Sequence, residues 1–254
     1  MTNHDLQNLP QQLQLLLDNQ VIQDTSGHSG AQVLKIGDDF FLKIDQKQAL
    51  QGETYLTNWF YLQGLSVEVV DYISTDRDYL VTRAAKGQPA HTFLDNPKAV
   101  CQTLATTLRQ LHDTSLDNVP LPNRLNTYLK TAQENAERGS FYEKALLPDF
   151  GITSREEACA LMTKQAHLLT ADTFIHGDYC LPNILLTNEQ TVSALIDVGL
   201  AGISDRHVDL FWAVWSLHYN TGTDQYGDYF LDCYGRETVE EEKLRLIAAI
   251  EAFG

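Results

Sequence analysis

Phe174-Ile175-His176-Gly177-Asp178-Tyr179-Cys180-Leu181-Pro182-Asn183-Ile184-Leu185-Leu186, followed by Leu195-Ile196-Asp197-Val198-Gly199, is the stretch that decides how this chain is read. Two apolar runs of strand type bracket a polar loop. The loop carries one carboxylate, Asp178, and one carboxamide, Asn183, five residues on; a second carboxylate, Asp197, follows beyond a short hairpin. Moving a phosphoryl group from a nucleotide requires little covalent chemistry from the protein. It needs a carboxylate to orient and deprotonate an acceptor hydroxyl, and oxygen ligands for magnesium. In that reading Asp178 is the base, and Asn183 and Asp197 are the Mg2+ ligands.

The spacing matches the kinase catalytic loop, with Gly177 where protein kinases carry Arg and Asp197-Val198-Gly199 in place of Asp-Phe-Gly. The stretch resembles the aminoglycoside phosphotransferase family, above all its 3'-phosphotransferases. That family shows His-Gly-Asp, Leu-Pro-Asn-Ile, Asp-x-Gly and Gly-x-x-Asp-Arg-x-x-Asp in this order. The last motif is present as Gly202-Ile203-Ser204-Asp205-Arg206-His207-Val208-Asp209. The resemblance runs over nearly the whole chain. It implies a kinase-like fold of α+β class: a mostly antiparallel sheet lobe over residues 1–83, a hinge at 84–89, and a helical lobe over 90–254. It also implies ATP or GTP as co-substrate and a hydroxyl of an aminoglycoside, the 3'-hydroxyl first, as acceptor, so that the antibiotic is inactivated.

Upstream, Leu6 to Asn19 reads as a helix, Val21 to Gln23 begins a strand, and Val33–Ile36 and Phe40–Ile44 form two more around a Gly37-Asp38-Asp39 turn. The small-residue loop Ser26-Gly27-His28-Ser29-Gly30 between the first two strands suits close approach of backbone N–H groups to phosphates. Ser26, Gly27, Ser29 and Gly30 are therefore candidate nucleotide contacts, although no Gly-x-Gly-x-x-Gly is present. Lys43 alternates with apolar neighbours, a costly place for a charge unless an anion meets it. By resemblance it contacts the phosphates and pairs with Glu53, early in a helix read over Gln46–Tyr61. Val67–Ile73 and Asp78–Thr82 are further strands. The aperiodic segment from Arg83 to Pro89 is the hinge, with backbone groups of Ala84 and Ala85 facing the adenine by resemblance.

Downstream the pattern turns helical. Val100, Leu104, Leu108 and Leu111 form a stripe ending at His112; helices are read over Asn126–Arg138, from Ser154 to about Leu168, Arg206–His218, Tyr226–Tyr234 and Thr238–Phe253. Ser154-Arg155-Glu156-Glu157 is a capping box. In the family the irregular segment 140–152 is an acidic substrate loop; here it offers Glu143 and Asp149. By resemblance Asp205 and the near-terminal Glu251 join Asp149 as substrate contacts, and Asp209 braces the catalytic loop. Two arginines of the family pattern are replaced by Leu200 and Trp215.

A net charge of −16 argues against nucleic acid or an anionic membrane as partner and suits a polycationic small molecule, while also serving solubility. The four scattered cysteines form no Cys-x-x-Cys pair, and the N-terminus lacks a signal-peptide pattern, which together suggest a reduced, cytoplasmic setting. The rival with the same chemistry is a kinase of choline, an amino sugar, a fructosamine or a macrolide. The rival from another class is a non-catalytic nucleotide-binding module, against which stands the joint presence of Lys43, Asp178, Asn183 and Asp197.

Overall fold

The structure is a computed structural model that describes residues 9–26, 30–118 and 122–254. The described chain divides into two compact units. One runs up to Lys86 and includes Ser193–Gly199; the other comprises Gly87–Val192 and Leu200–Gly254. The division falls inside the segment read as a hinge. It also gives the first unit a short second segment, 193–199, which the sequence reading had left with the helical lobe.

The first unit is built on five antiparallel strands: β1 (Ile22–Asp24), β2 (Gln32–Ile36), β3 (Phe40–Gln46), β4 (Val69–Ser74) and β5 (Arg77–Arg83), in spatial order β1-β2-β3-β5-β4. Alternation along β3 sends Leu42 and Ile44 to one face, where they join Leu34, Ile36, Tyr79 and Val81. Helix α1 (Gln11–Leu17) covers that face with Leu13 and Leu17. Leu6 to Asn8, included in the helix read from sequence, lie outside the described residues. Lys43 occupies the alternate face of β3, opposite Leu80 of β5.

Helix α2 (Gln51–Leu62) begins later than the Gln46 expected, because β3 stays paired with β5 as far as Gln46↔Arg77. Its start is fixed by Asp78, fully buried in β5. The carboxylate accepts the Leu50 N–H (3.0 Å), the Tyr72 hydroxyl (2.9 Å) and the Ser74 hydroxyl (2.6 Å). Burial alone would push the Asp78 pKa up, but these donors hold it below the ordinary carboxylate range.

Among its described residues the second unit holds six α-helices: α3 (Pro97–His112), α4 (Leu125–Glu137), α5 (Arg155–Gln165), α6 (His207–Thr221), α7 (Gln225–Tyr234) and α8 (Glu241–Glu251). The apolar stripe of α3 is buried throughout, and α3 packs on α7, α6 on both α7 and α8, and α5 on α8. The capping box at α5 is offset by one residue. Ser154 Oγ accepts the Glu157 N–H, but Glu157 returns its carboxylate to Thr153 rather than to Ser154. Strand β6 (Gln88–Pro89) pairs with β8 (Ile184–Asn188), which turns into β9 (Thr191–Leu195). Strand β7 (Thr173–Ile175), buried at every residue, pairs with β10 (Gly202–Ser204) and delivers the chain into the His176–Asn183 loop. The segment 140–152 contains only two single turns, Glu143–Ala145 and Pro148–Phe150. Among the described residues, no helix is long and apolar enough to cross a membrane.

Candidate active site

In the first unit the returning segment is tied down by the Leu195 N–H to the Leu65 carbonyl (2.7 Å) and the Ser66 hydroxyl to the Leu195 carbonyl (2.6 Å). Two residues on, Asp197 takes a left-handed conformation (φ +55°), costly for a residue with a Cβ, and its Oδ1 meets Lys43 Nζ at 2.9 Å. The same ammonium donates to both carboxylate oxygens of Glu53, at 2.8 and 2.9 Å. Burial works against the charge on Lys43, but Glu53 and Asp197 outweigh it and hold the lysine pKa above its ordinary value. Glu53 is pushed up because its burial outweighs the attraction of Lys43. A bidentate contact under 3 Å is nevertheless that of an ion pair, with Lys43 as the fixed positive charge. Asp197 is 53% exposed and keeps Oδ2 free of Lys43.

Of the other residues read as nucleotide contacts, Gly27 and Ser29 lie outside the described residues. Gly30 has φ +83° with open space where a side chain would stand. The Ser26 N–H and hydroxyl both donate to Asp24 Oδ1 (3.0 and 2.6 Å), while its Oγ accepts the Val33 N–H. Ala84 commits its N–H to the Asp39 carbonyl at 2.7 Å; Ala85 is half-buried beside it.

In the second unit the catalytic loop hangs from one carboxylate. The fully buried Asp209, on the first turn of α6, accepts the His176 N–H at 2.7 Å and the Gly177 N–H at 2.8 Å. It also meets His112 Nε2 at 3.0 Å, and His112 Nδ1 meets the Tyr234 hydroxyl at 2.7 Å. Burial holds the His112 pKa down, against the pull of the Asp209 carboxylate. Gly177 has φ +90°, and a Cβ there would stand 2.5 Å from the Leu200 carbonyl oxygen, so only glycine passes. The Asp178 N–H then donates to His176 Nδ1 (3.2 Å), and the Asp178 side chain emerges half-exposed.

Asn183, nearly buried, donates its amide nitrogen to the Asp178 carboxylate (2.8 Å) and carbonyl (3.1 Å). That assignment leaves Asn183 Oδ1 as the free end. Asn183 Oδ1 in this unit, like Asp197 Oδ2 in the first, is a hard oxygen donor. Cys180, inside the loop, is no nucleophile: burial first, and then the neighbouring Asp178 charge, push its thiol pKa far up.

The acids read as substrate contacts separate into three cases. Asp149 is exposed on the Pro148–Phe150 turn. Asp205 has a buried carboxylate filled by the N–H groups of Thr170 and His207 (both 3.0 Å) and by His207 Nδ1 (2.6 Å). Burial tends to raise its pKa, yet these donors hold it down at about 2. It is a structural anchor joining β10 to α6. Glu251 is no solvated helix end. It is 8% exposed and accepts the Tyr128 hydroxyl at 2.9 Å and the Trp212 indole N–H at 3.2 Å. Its pKa is raised to about 7, chiefly by burial, with the charge of Asp178 adding to it.

Sequence reasoning passed over Asp78, His112, Tyr128 and Trp212. Only His112, ending a buried stripe, carried a usable signal; the rest owe their roles to contacts distant in sequence.

A strand-rich unit with a Lys43–Glu53 pair and a helical unit presenting a His-Gly-Asp loop define a kinase-like phosphotransferase. The chain belongs to the APH phosphotransferase enzyme family, whose model matches residues 17–247. It is 36% identical over 255 residues to a probable aminoglycoside 3'-phosphotransferase of Lactococcus lactis, covering 98% of this chain and 97% of the relative. It is 31% identical over 199 residues to a streptomycin 3''-kinase of Streptomyces griseus, covering 73% of each. Among solved structures, a type VIII aminoglycoside-3'-phosphotransferase superposes with a TM-score of 0.74 at 28% identity, covering 92% of this chain and 94% of that one.

Proposed function

We propose that this protein transfers the γ-phosphoryl group of ATP or GTP to the 3'-hydroxyl of an aminoglycoside, inactivating the antibiotic. The observation that carries the reading is the loop of the second unit, where Asp178 is half-exposed, aimed by Asn183 and braced by Asp209. The likeness to the Lactococcus relative supports the acceptor.

Lys43, held by Glu53, neutralises nucleotide phosphates, with the Gly30 turn and the Ala84 and Ala85 backbone also contacting the nucleotide. Asn183 Oδ1 and Asp197 would hold magnesium, which when bound offsets charge on the phosphate oxygens. Asp178 hydrogen-bonds the acceptor hydroxyl and takes its proton as that oxygen forms the new bond to phosphorus and the nucleoside diphosphate leaves. Glu251 and Asp149 receive ammonium groups of the acceptor. Residues 1–83 act on the nucleotide, 84–89 join the parts, and 90–254 supply the base and the acceptor contacts.

The test is a coupled assay of nucleotide turnover with kanamycin, a 3'-deoxy aminoglycoside, streptomycin, choline and a neutral amino sugar. Turnover with kanamycin and inhibition without turnover by the 3'-deoxy compound are expected. Turnover of the 3'-deoxy compound overturns the regiochemistry. Turnover only of streptomycin moves the site to another hydroxyl, and turnover only of choline or the sugar overturns the acceptor class.

A further inference from the structure

One face of α6 carries Trp212, Trp215 and Tyr219, at spacings of three and four residues, and their rings form a continuous ladder. Trp212 and Trp215 meet edge to face with centroids 5.5 Å apart; Trp215 and Tyr219 stack at 5.2 Å with their planes 14° apart. The inner end is polar, since the Trp212 indole N–H donates to the buried Glu251. The outer end is open, since Tyr219 is 69% exposed. The middle ring is fixed by its own N–H, which donates to the Lys144 carbonyl at 2.7 Å and so ties α6 to the 140–152 segment. With both indole N–H groups committed to protein partners, the ladder presents aromatic surface to whatever lies against it.

An aromatic stripe at helical spacing ordinarily belongs to a core. This one leaves the core. It starts at a buried carboxylate and ends in solvent. Quadrupolar ring faces attract ammonium groups, and they also pack against the apolar C–H faces of sugar rings. A buried acid at one end and an exposed aromatic ring at the other match a rigid polyamine built of sugar-like rings.

We propose that Trp215 and Tyr219 are specificity-determining residues: they form a wall on which a ring of the polycationic acceptor stacks while one of its ammonium groups reaches Glu251. This rests on the acceptor class given above. It places recognition on aromatic faces at one of the two positions where the family pattern carries arginine, so a repulsive cation gives way to an attractive surface.

The decisive variants are at Tyr219, whose exposure makes folding defects small. Tyr219→Ala should raise KM for kanamycin about three- to tenfold with kcat spared, and Tyr219→Phe, which keeps the ring, should restore it. KM for the nucleotide should not move. In a Trp59→Phe background Trp212 and Trp215 are the only tryptophans, and kanamycin alone should change the emission excited selectively from tryptophan. Wild-type KM in both Tyr219→Ala and Trp215→Leu, with unchanged emission on titration, overturns the wall while leaving the phosphotransferase reading intact. Absence of turnover of every aminoglycoside by the wild-type enzyme overturns that reading first.

Discussion

Asn183 donates its side-chain amide to the carboxylate of Asp178 at 2.8 Å, so the residue read as a metal ligand also aims the residue read as the base. Asp178→Asn removes the proton acceptor while keeping the shape of the loop. Turnover should fall by at least about 100-fold, the contribution of a positioned base, with nucleotide affinity nearly unchanged. A variant keeping half of wild-type kcat in the coupled assay would exclude Asp178 from proton transfer.

Asp197 is held by Lys43 in a conformation that costs on the order of 1–3 kcal/mol. Asp197→Ala should abolish magnesium-dependent nucleotide binding measured by calorimetry, while leaving the Lys43–Glu53 pair in place. Unchanged affinity for the magnesium–nucleotide complex would sink the ligand role.

Glu251 gives two pH effects of opposite sense. Its folded pKa of about 7 lies above that of an unfolded glutamate, about 4.3. Between those values the folded state keeps a proton that the unfolded chain releases. Its stabilising contribution is therefore complete below the lower value and is lost as pH rises through the upper one. Substrate binding runs the other way, because only the ionised Glu251 attracts an ammonium group. Glu251→Gln should flatten the fall in melting temperature from pH 5 to 8. It should also remove the wild-type gain in aminoglycoside affinity between pH 6 and 8. Identical pH profiles for the two proteins would contradict both.

The Asp209 brace can be tested without touching the reacting groups. In Asp209→Asn an amide NH2 must face one of the two main-chain N–H groups, leaving a buried donor unmet at a cost of about 1–3 kcal/mol. The melting temperature should drop by several degrees and kcat should fall with it. A variant with wild-type kcat would show that the loop holds its shape unaided.

The His176–Asn183 loop was legible because its pattern is local: the acid, the amide and the strands that flank them lie within one short run. The α3 stripe and the buried helix α6 were legible for the same reason, since periodicity is a local property. Side-chain environment was not. Asp205 and Glu251 are both acids at helix ends, and nothing in their neighbours separates the anchored one from the one whose pKa climbs. Their difference lies in donors from other elements: Thr170 and His207 for Asp205, Tyr128 and Trp212 for Glu251. The late start of α2 was hidden likewise, because the strand pairing that extends β3 to Gln46 involves Arg77. Trp215 was read as a lost arginine; only the stacked ring of Tyr219 and the bond to Lys144 give it a positive identity.

The first unit is stitched from two pieces of chain, since Ser193–Gly199 belongs with the residues up to Lys86. On a ribosome that order matters. The five strands emerge early, yet Lys43 and Glu53 must wait for Asp197 until the whole of 87–192 has been made, several seconds later at roughly 5–20 residues per second. The Lys43–Glu53–Asp197 cluster is thus completed only after the His176–Asn183 loop has been made, and no fragment ending before Asp197 contains both.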